Sequence, residues 1–198
     1  MGAKSMSAAA DSAKLHRTSI GFWLYLMTDC MLFASLFATF AVLRTATADG
    51  PSGADIFQLP LMLVSTVILL VSSFACGIAL IGLKNRNMVQ IAWGLTATFV
   101  LGVAFLSIEI YEFAHLINEG YGPDRSAFLS AFFTLVGTHG LHILVGLIWL
   151  AVLGWVFYKR GINAKSGRQL TIFGMFWHFL DLVWIFVFTI VYLLGVLS

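Results

Sequence analysis

LPLMLVSTVILLVSSFACGIALIGL, residues Leu59–Leu83, contains no charged side chain. A helix crosses a hydrocarbon core of about 30 Å with about 20 mainly apolar residues. A stretch this long and this free of charge reads as a transmembrane helix rather than a soluble core element. Four more segments meet the same test, at about Ile20–Leu43, Ile91–Leu116, Phe128–Phe157 and Leu170–Leu197. The Phe128–Phe157 segment exceeds what one crossing needs and is expected to tilt or project. The segments end where turn formers or charges collect: Thr45–Gln58 with Asp49-Gly50-Pro51, Lys84-Asn85-Arg86-Asn87, Asn118–Ser126 with Gly120, Gly122 and Pro123, and Lys159–Gln169. The expected fold is therefore an all-α integral membrane bundle of five transmembrane helices. Residues 1–19 form an N-terminal tail and 20–198 the bundle.

Composition agrees. The chain of 198 residues is 60% hydrophobic and 10% charged, against roughly 25% charged for soluble domains. Too few charges remain to cover a soluble surface. Cys30 and Cys76 lie inside apolar runs and read as small buried hydrophobes. Met1–Arg17 is polar and rich in small residues, without the apolar core of a signal peptide. Lys4, Lys14, Arg17, Lys84, Arg86, Lys159, Arg160, Lys165 and Arg168 fall on one side of the alternating spans, and Arg44 and Arg125 on the other. That asymmetry places the N-terminus in the cytoplasm and the C-terminus on the periplasmic side. Basic residues at the cytoplasmic ends would meet anionic headgroups. Small residues at four-residue spacing, Gly94, Thr98 and Gly102 and also Ser73 and Gly77, mark expected close helix approaches.

Ionisable groups within spans are costly and are functional candidates by default. Here they are Asp29, Glu109, Glu112, His115, His139, His142, His178 and Asp181. Pairs three residues apart share a helical face. Glu109, Glu112 and His115 thus form one stripe, and Glu112-x-x-His115 matches half of a di-iron bundle motif. The second Glu-x-x-His unit that such a bundle needs is missing. His139 and His142 lie deeper than Glu112 and His115, so the simpler reading of these groups is mutual hydrogen bonding across helices. Asp29 has no sequence neighbour to pair with. Because burying an isolated carboxylate is costly, it is expected to be neutral, paired across helices or reached by water.

At these residues the chain resembles a known family. Gly137-Thr138-His139-Gly140-Leu141-His142 followed by Gly146, Trp177-His178-Phe179-Leu180-Asp181-Leu182-Val183-Trp184, Glu109-Ile110-Tyr111-Glu112, and Met27–Phe33 around Asp29 occur in order. Together they resemble haem-copper oxidase subunit III. The five-span form and Gly122-Pro123-Asp124-Arg125-Ser126 look most like the bacterial bo-type ubiquinol oxidase branch. Two departures stand out: many members carry Glu where this chain has Asp29, and many begin with an additional helix pair. The resemblance implies a non-catalytic subunit in a bacterial inner membrane, without a cofactor of its own. Haem and copper would reside in the catalytic subunit I, with other oxidase subunits and phospholipid as further partners and no nucleic acid. It implies no catalytic or metal-binding residue in this chain. Asp29 would be the carboxylate near the lipid and proton-uptake region, while Glu109, Glu112, His139, His142, His178 and Asp181 would make interhelical contacts. The alternative from another class is a small proton-coupled transporter, against which the odd number of spans argues.

Overall fold

The computed structural model describes residues 2–47, 53–56 and 58–197. The expected turn Asp49-Gly50-Pro51 lies outside the described residues. The elements are α1 (Gly2–Leu43), the short α2 (Gly53–Ile56), α3 (Leu59–Lys84), α4 (Met88–Asn118), α5 (Ala127–Arg160), α6 (Ala164–Val187), a π-helical turn (Phe188–Leu193) and α7 (Leu194–Leu197). Among the described residues the structure is all-helical. Five helical stretches are long and apolar enough to span a membrane: Ser19–Leu43, Leu59–Lys84, Met88–Asn118, Ala127–Arg160 and Ala164–Leu193. The N-terminal segment expected as a tail is helical from Gly2 and runs unbroken into the first span.

Local sequence sets the boundaries. Pro60 occupies the first turn of α3, where its missing N–H costs nothing. Arg86 takes a left-handed φ of 54° in the turn to α4, and Asn87 caps α4 by accepting from the Val89 and Gln90 amides. Ser126 caps α5 by accepting from Leu129 N. Gly161, at φ 63°, ends α5 in a conformation that side-chain-bearing residues avoid. Asn163 and Ser166 then form a capping box at the start of α6. With 34 residues, α5 is about 50 Å long, more than the hydrocarbon core requires.

Helix α6 is the centre of the bundle. It packs on α1, α3 and α5, whereas α1 packs chiefly on α5 and α6, and α3 pairs with α4. Half of the apolar window of α6 is buried, against 22% for α1. So α1 is the most open span, and α6 carries the two largest fully buried side chains among the described residues, Trp177 and Trp184, together with the buried Phe173 and Phe176.

The tightest crossing joins α3 and α4. A Cβ on Gly94 would lie 2.7 Å from Ala79 N and 2.8 Å from Ala75 O, both backbone atoms. Backbones this close let neighbouring hydroxyls bridge the helices. Ser72 Oγ donates to Thr98 O at 3.2 Å, and Thr98 Oγ1 donates to Ser72 O at 3.3 Å and to Gly94 O at 2.8 Å. Trp177 Nε1 of α6 donates to Ser72 Oγ at 3.2 Å, tying three helices at one point. Gly102 instead makes room for Trp177 and Leu147. Gly77, grouped with Ser73 by spacing alone, faces open space: nothing lies within 4 Å of a Cβ built there. Spacing identifies a face of a helix but not what covers it.

Candidate functional site

The buried polar residues form a broken seam through the bundle. Asp29 is buried on α1, and its Oδ2 lies 3.4 Å from His142 Nε2 on α5. The partner that the sequence did not supply therefore comes from another helix. Tyr25, one turn away on α1, also reaches Asp29. His142 Nδ1 lies 2.7 Å from the Thr138 carbonyl oxygen. A carbonyl oxygen only accepts, so Nδ1 carries a proton and donates it. Nε2 is turned toward Asp29, whose Oδ2 has no hydrogen-bond partner of good geometry among the described residues, so the 3.4 Å contact is an approach of two polar groups from α1 and α5.

One turn along α5, His139 is fully buried. Its ring tilts against Trp184 at a centroid distance of 5.1 Å and meets Phe105 edge-on at 5.9 Å. Phe33 lies between the two histidines, 6.4 Å from His139 and 5.2 Å from His142. Neither ring nitrogen of His139 has a hydrogen-bond partner among the described residues. The same holds for both carboxyl oxygens of Glu109. Glu109 lies over Gly140, where a Cβ would come within 2.6 Å of Oε1. Gly140 thus leaves the space that a buried carboxyl from α4 occupies.

Toward the end of α4, Glu112 Oε2 accepts from the Tyr192 hydroxyl at 2.8 Å. Tyr192 lies in the π-helical turn after α6, whose wider winding keeps it on the same side as Trp184, ring centroids 6.2 Å apart. Trp184 in turn donates through Nε1 to Thr66 Oγ1 of α3 at 3.1 Å. Tyr192→Phe removes a buried bond between α4 and the end of α6. We expect it to cost about 1–2 kcal/mol, seen as a lower thermal midpoint in detergent; an unchanged midpoint would count against this bond.

His115 does not continue the stripe of Glu109 and Glu112. Its side chain is 40% exposed, lies 3.4 Å from Glu119 and stacks on Tyr111. Three residues turn a helix by less than a full revolution, so the edge of a stripe drifts out of the interior. On the opposite flank, His178 Nδ1 and Ser73 Oγ are hydrogen-bond partners at 2.6 Å across α6 and α3, with Asp181 Oδ2 3.8 Å from the same nitrogen. Among the described residues no three His, Cys, Asp or Glu side chains converge into a metal-binding group. Sequence reading missed Tyr25, Thr66, Ser72 and Tyr192; the available signal was a hydroxyl inside an apolar span.

Comparison with known proteins gives this geometry a setting. The family model described as cytochrome c oxidase subunit III matches residues 6–196. The cytochrome bo(3) ubiquinol oxidase subunit 3 of Pseudomonas aeruginosa is 59% identical over 181 residues, 91% of this chain and 86% of that protein. Its counterpart from Pseudomonas putida is 55% identical over 180 residues, 91% and 87% of the two chains. A cytochrome c oxidase subunit 3 from Alkalihalophilus pseudofirmus is 44% identical over 178 residues, 89% and 86%. Matches of this length cover every span and all the buried polar residues described above, and this chain belongs to the cytochrome c oxidase subunit III family.

Proposed function

We propose that this chain is subunit III of a bacterial haem-copper ubiquinol oxidase, seated in the inner membrane with its N-terminus in the cytoplasm. As a family member it is an accessory, membrane-spanning subunit of a haem-copper oxidase. The observation that carries the quinol assignment is the 59% identity over 91% of the chain to a bo(3) ubiquinol oxidase subunit 3. In this reading haem, copper and oxygen reduction belong to the catalytic subunit I, against which this bundle packs. Asp29, which lies 3.4 Å from His142, belongs to the lipid and proton-uptake side of the complex. Glu109, Glu112, His139, His142, His178 and Asp181 are the groups through which helices and subunits hold each other.

Retention of phospholipid is supported by a cavity of about 420 Å³ at the ends of α3 and α6. Arg86 and Arg168 line it beside Leu83, Ile172 and Met175, and among the described residues its lining holds no carboxylate. Two cations next to an apolar wall suit a phosphate headgroup with its acyl chains.

The test is purification of the tagged chain in mild detergent from its own membranes. A haem-bearing partner and quinol-driven oxygen consumption are expected in the eluate. A chain that elutes alone, or that transports a proton-coupled substrate when reconstituted by itself, would overturn the assignment. Asp29→Asn keeps a group that can donate to His142 Nε2. We therefore expect the variant oxidase to assemble normally but to inactivate after fewer turnovers or to lose lipid. Parent-like durability together with parent-like lipid content would show that Asp29 serves packing alone.

A further inference from the structure

We propose that the outward face of α3 and α6 around Ser73 and His178 docks a membrane-spanning helix from another oxidase subunit, one that presents a hydrogen-bonding side chain at mid-depth. The inference rests on the reading of this chain as an oxidase subunit and adds which surface makes the contact. His178 lies 14 residues from the start of α6, about 21 Å along the helix, and Ser73 lies about 16 Å from the end of α3. Both positions fall well inside a hydrocarbon core of about 30 Å.

The His178 side chain is nevertheless 43% exposed. Other exposed polar groups in the spans are compatible with lipid, because Ser35, Thr39, Ser107 and Thr134 each donate to a carbonyl one turn back. His178 has no such arrangement. Its Nδ1 is engaged by Ser73, and Nε2 has no partner among the described residues. Beside it Asp181 is about 95% buried, and neither of its oxygens has a hydrogen-bond partner of good geometry among the described residues. Lipid tails can neither donate to nor accept from the exposed His178 ring, and ionisable side chains at this depth face protein or water.

The shape of the surface fits a helix. Ser73 and Gly77 are small, and the space beside Gly77 is open, so a second backbone can approach closely. Phe74, 72% exposed, lies about one turn from Gly77 on α3, and the exposed Leu182 lies one turn from His178 on α6. A donor or acceptor on the incoming helix would complete the exposed His178 ring, while Asp181 stays buried behind it.

The experiment uses the whole oxidase in native membranes. A photoreactive benzophenone amino acid is placed at Phe74 and, as a control, at Val100 on the exposed face of α4. Illumination is expected to join Phe74 to another oxidase subunit, and Val100 to lipid. Products at Phe74 with lipid alone, or with a second copy of this chain, would overturn the proposal. In parallel, His178→Phe is expected to lower retention of this chain in the purified oxidase about tenfold, the worth of one interhelical hydrogen bond. His178→Asn should restore most of it. If His178→Phe fails to accumulate in membranes, the crosslinking decides. Equal retention of His178→Phe and parent also refutes the docking role. If the parent chain itself brings down no haem protein, the oxidase reading fails; if it does and Phe74 meets only lipid, the docking surface alone fails.

Discussion

Gly94→Val is expected to destabilise the bundle by about 3 kcal/mol, at the upper end for overpacking a tight contact. The first carbon added at Gly94 would already sit 2.7–2.8 Å from the backbone of Ala75 and Ala79. Backbone atoms cannot rotate away as a flexible side chain can, so α3 and α4 must separate. Separation also breaks the reciprocal Ser72–Thr98 bonds. The Trp177–Ser72 bond from α6 is then lost with them. The measurement is accumulation in membranes together with protease resistance on heating. Gly154→Val is the control, because nothing lies within 4 Å of a Cβ at Gly154. If both variants behave alike, close backbone approach does not hold this pair of helices.

His142→Leu with Asp29 retained is expected to cost about 3 kcal/mol, because one member of a buried polar pair is left without its partner. Asp29→Leu combined with His142→Leu should recover most of that loss, since apolar replacement of both members of such a pair is close to neutral. A double-mutant cycle on thermal or denaturant stability of the oxidase reads the coupling directly. Purely additive losses would mean that the 3.4 Å approach contributes nothing. Because α1 packs chiefly on α5 and α6 and is the most open span, the loss should appear first as detachment of α1. Enhanced proteolysis near the start of the first span would report it. The contrast with Asp29→Asn, which keeps a donor for Nε2, separates stability from durability of turnover.

How much of the site was legible follows from what each residue needs. Glu109, Glu112, His139, His142, His178 and Asp181 are conspicuous in sequence because each is an ionisable group in an otherwise apolar run. Their partners were less visible. His142 stands three residues from His139, on the same helical face, yet its contact is Asp29 on α1. His115 shares a motif with Glu112, yet it lies at the surface beside Glu119. Tyr192 was hidden because a π-helical turn, which shifts the register of everything after it, leaves no mark in composition.

Residue order alone was enough to reveal five helices long and apolar enough to span a membrane and the family that the chain resembles. Those properties depend on length, polarity and residue order along one segment at a time. Only the tertiary structure decided that α6 lies at the centre, that Asp29 meets His142, that Gly94 is a crossing point and that Gly77 is not. In lipid the outward side of a span is as apolar as most of its inward side, so hydropathy alone does not tell which side turns inward. That choice is made by the fit of small residues and by hydrogen bonds between helices, and it exists only once the helices are assembled.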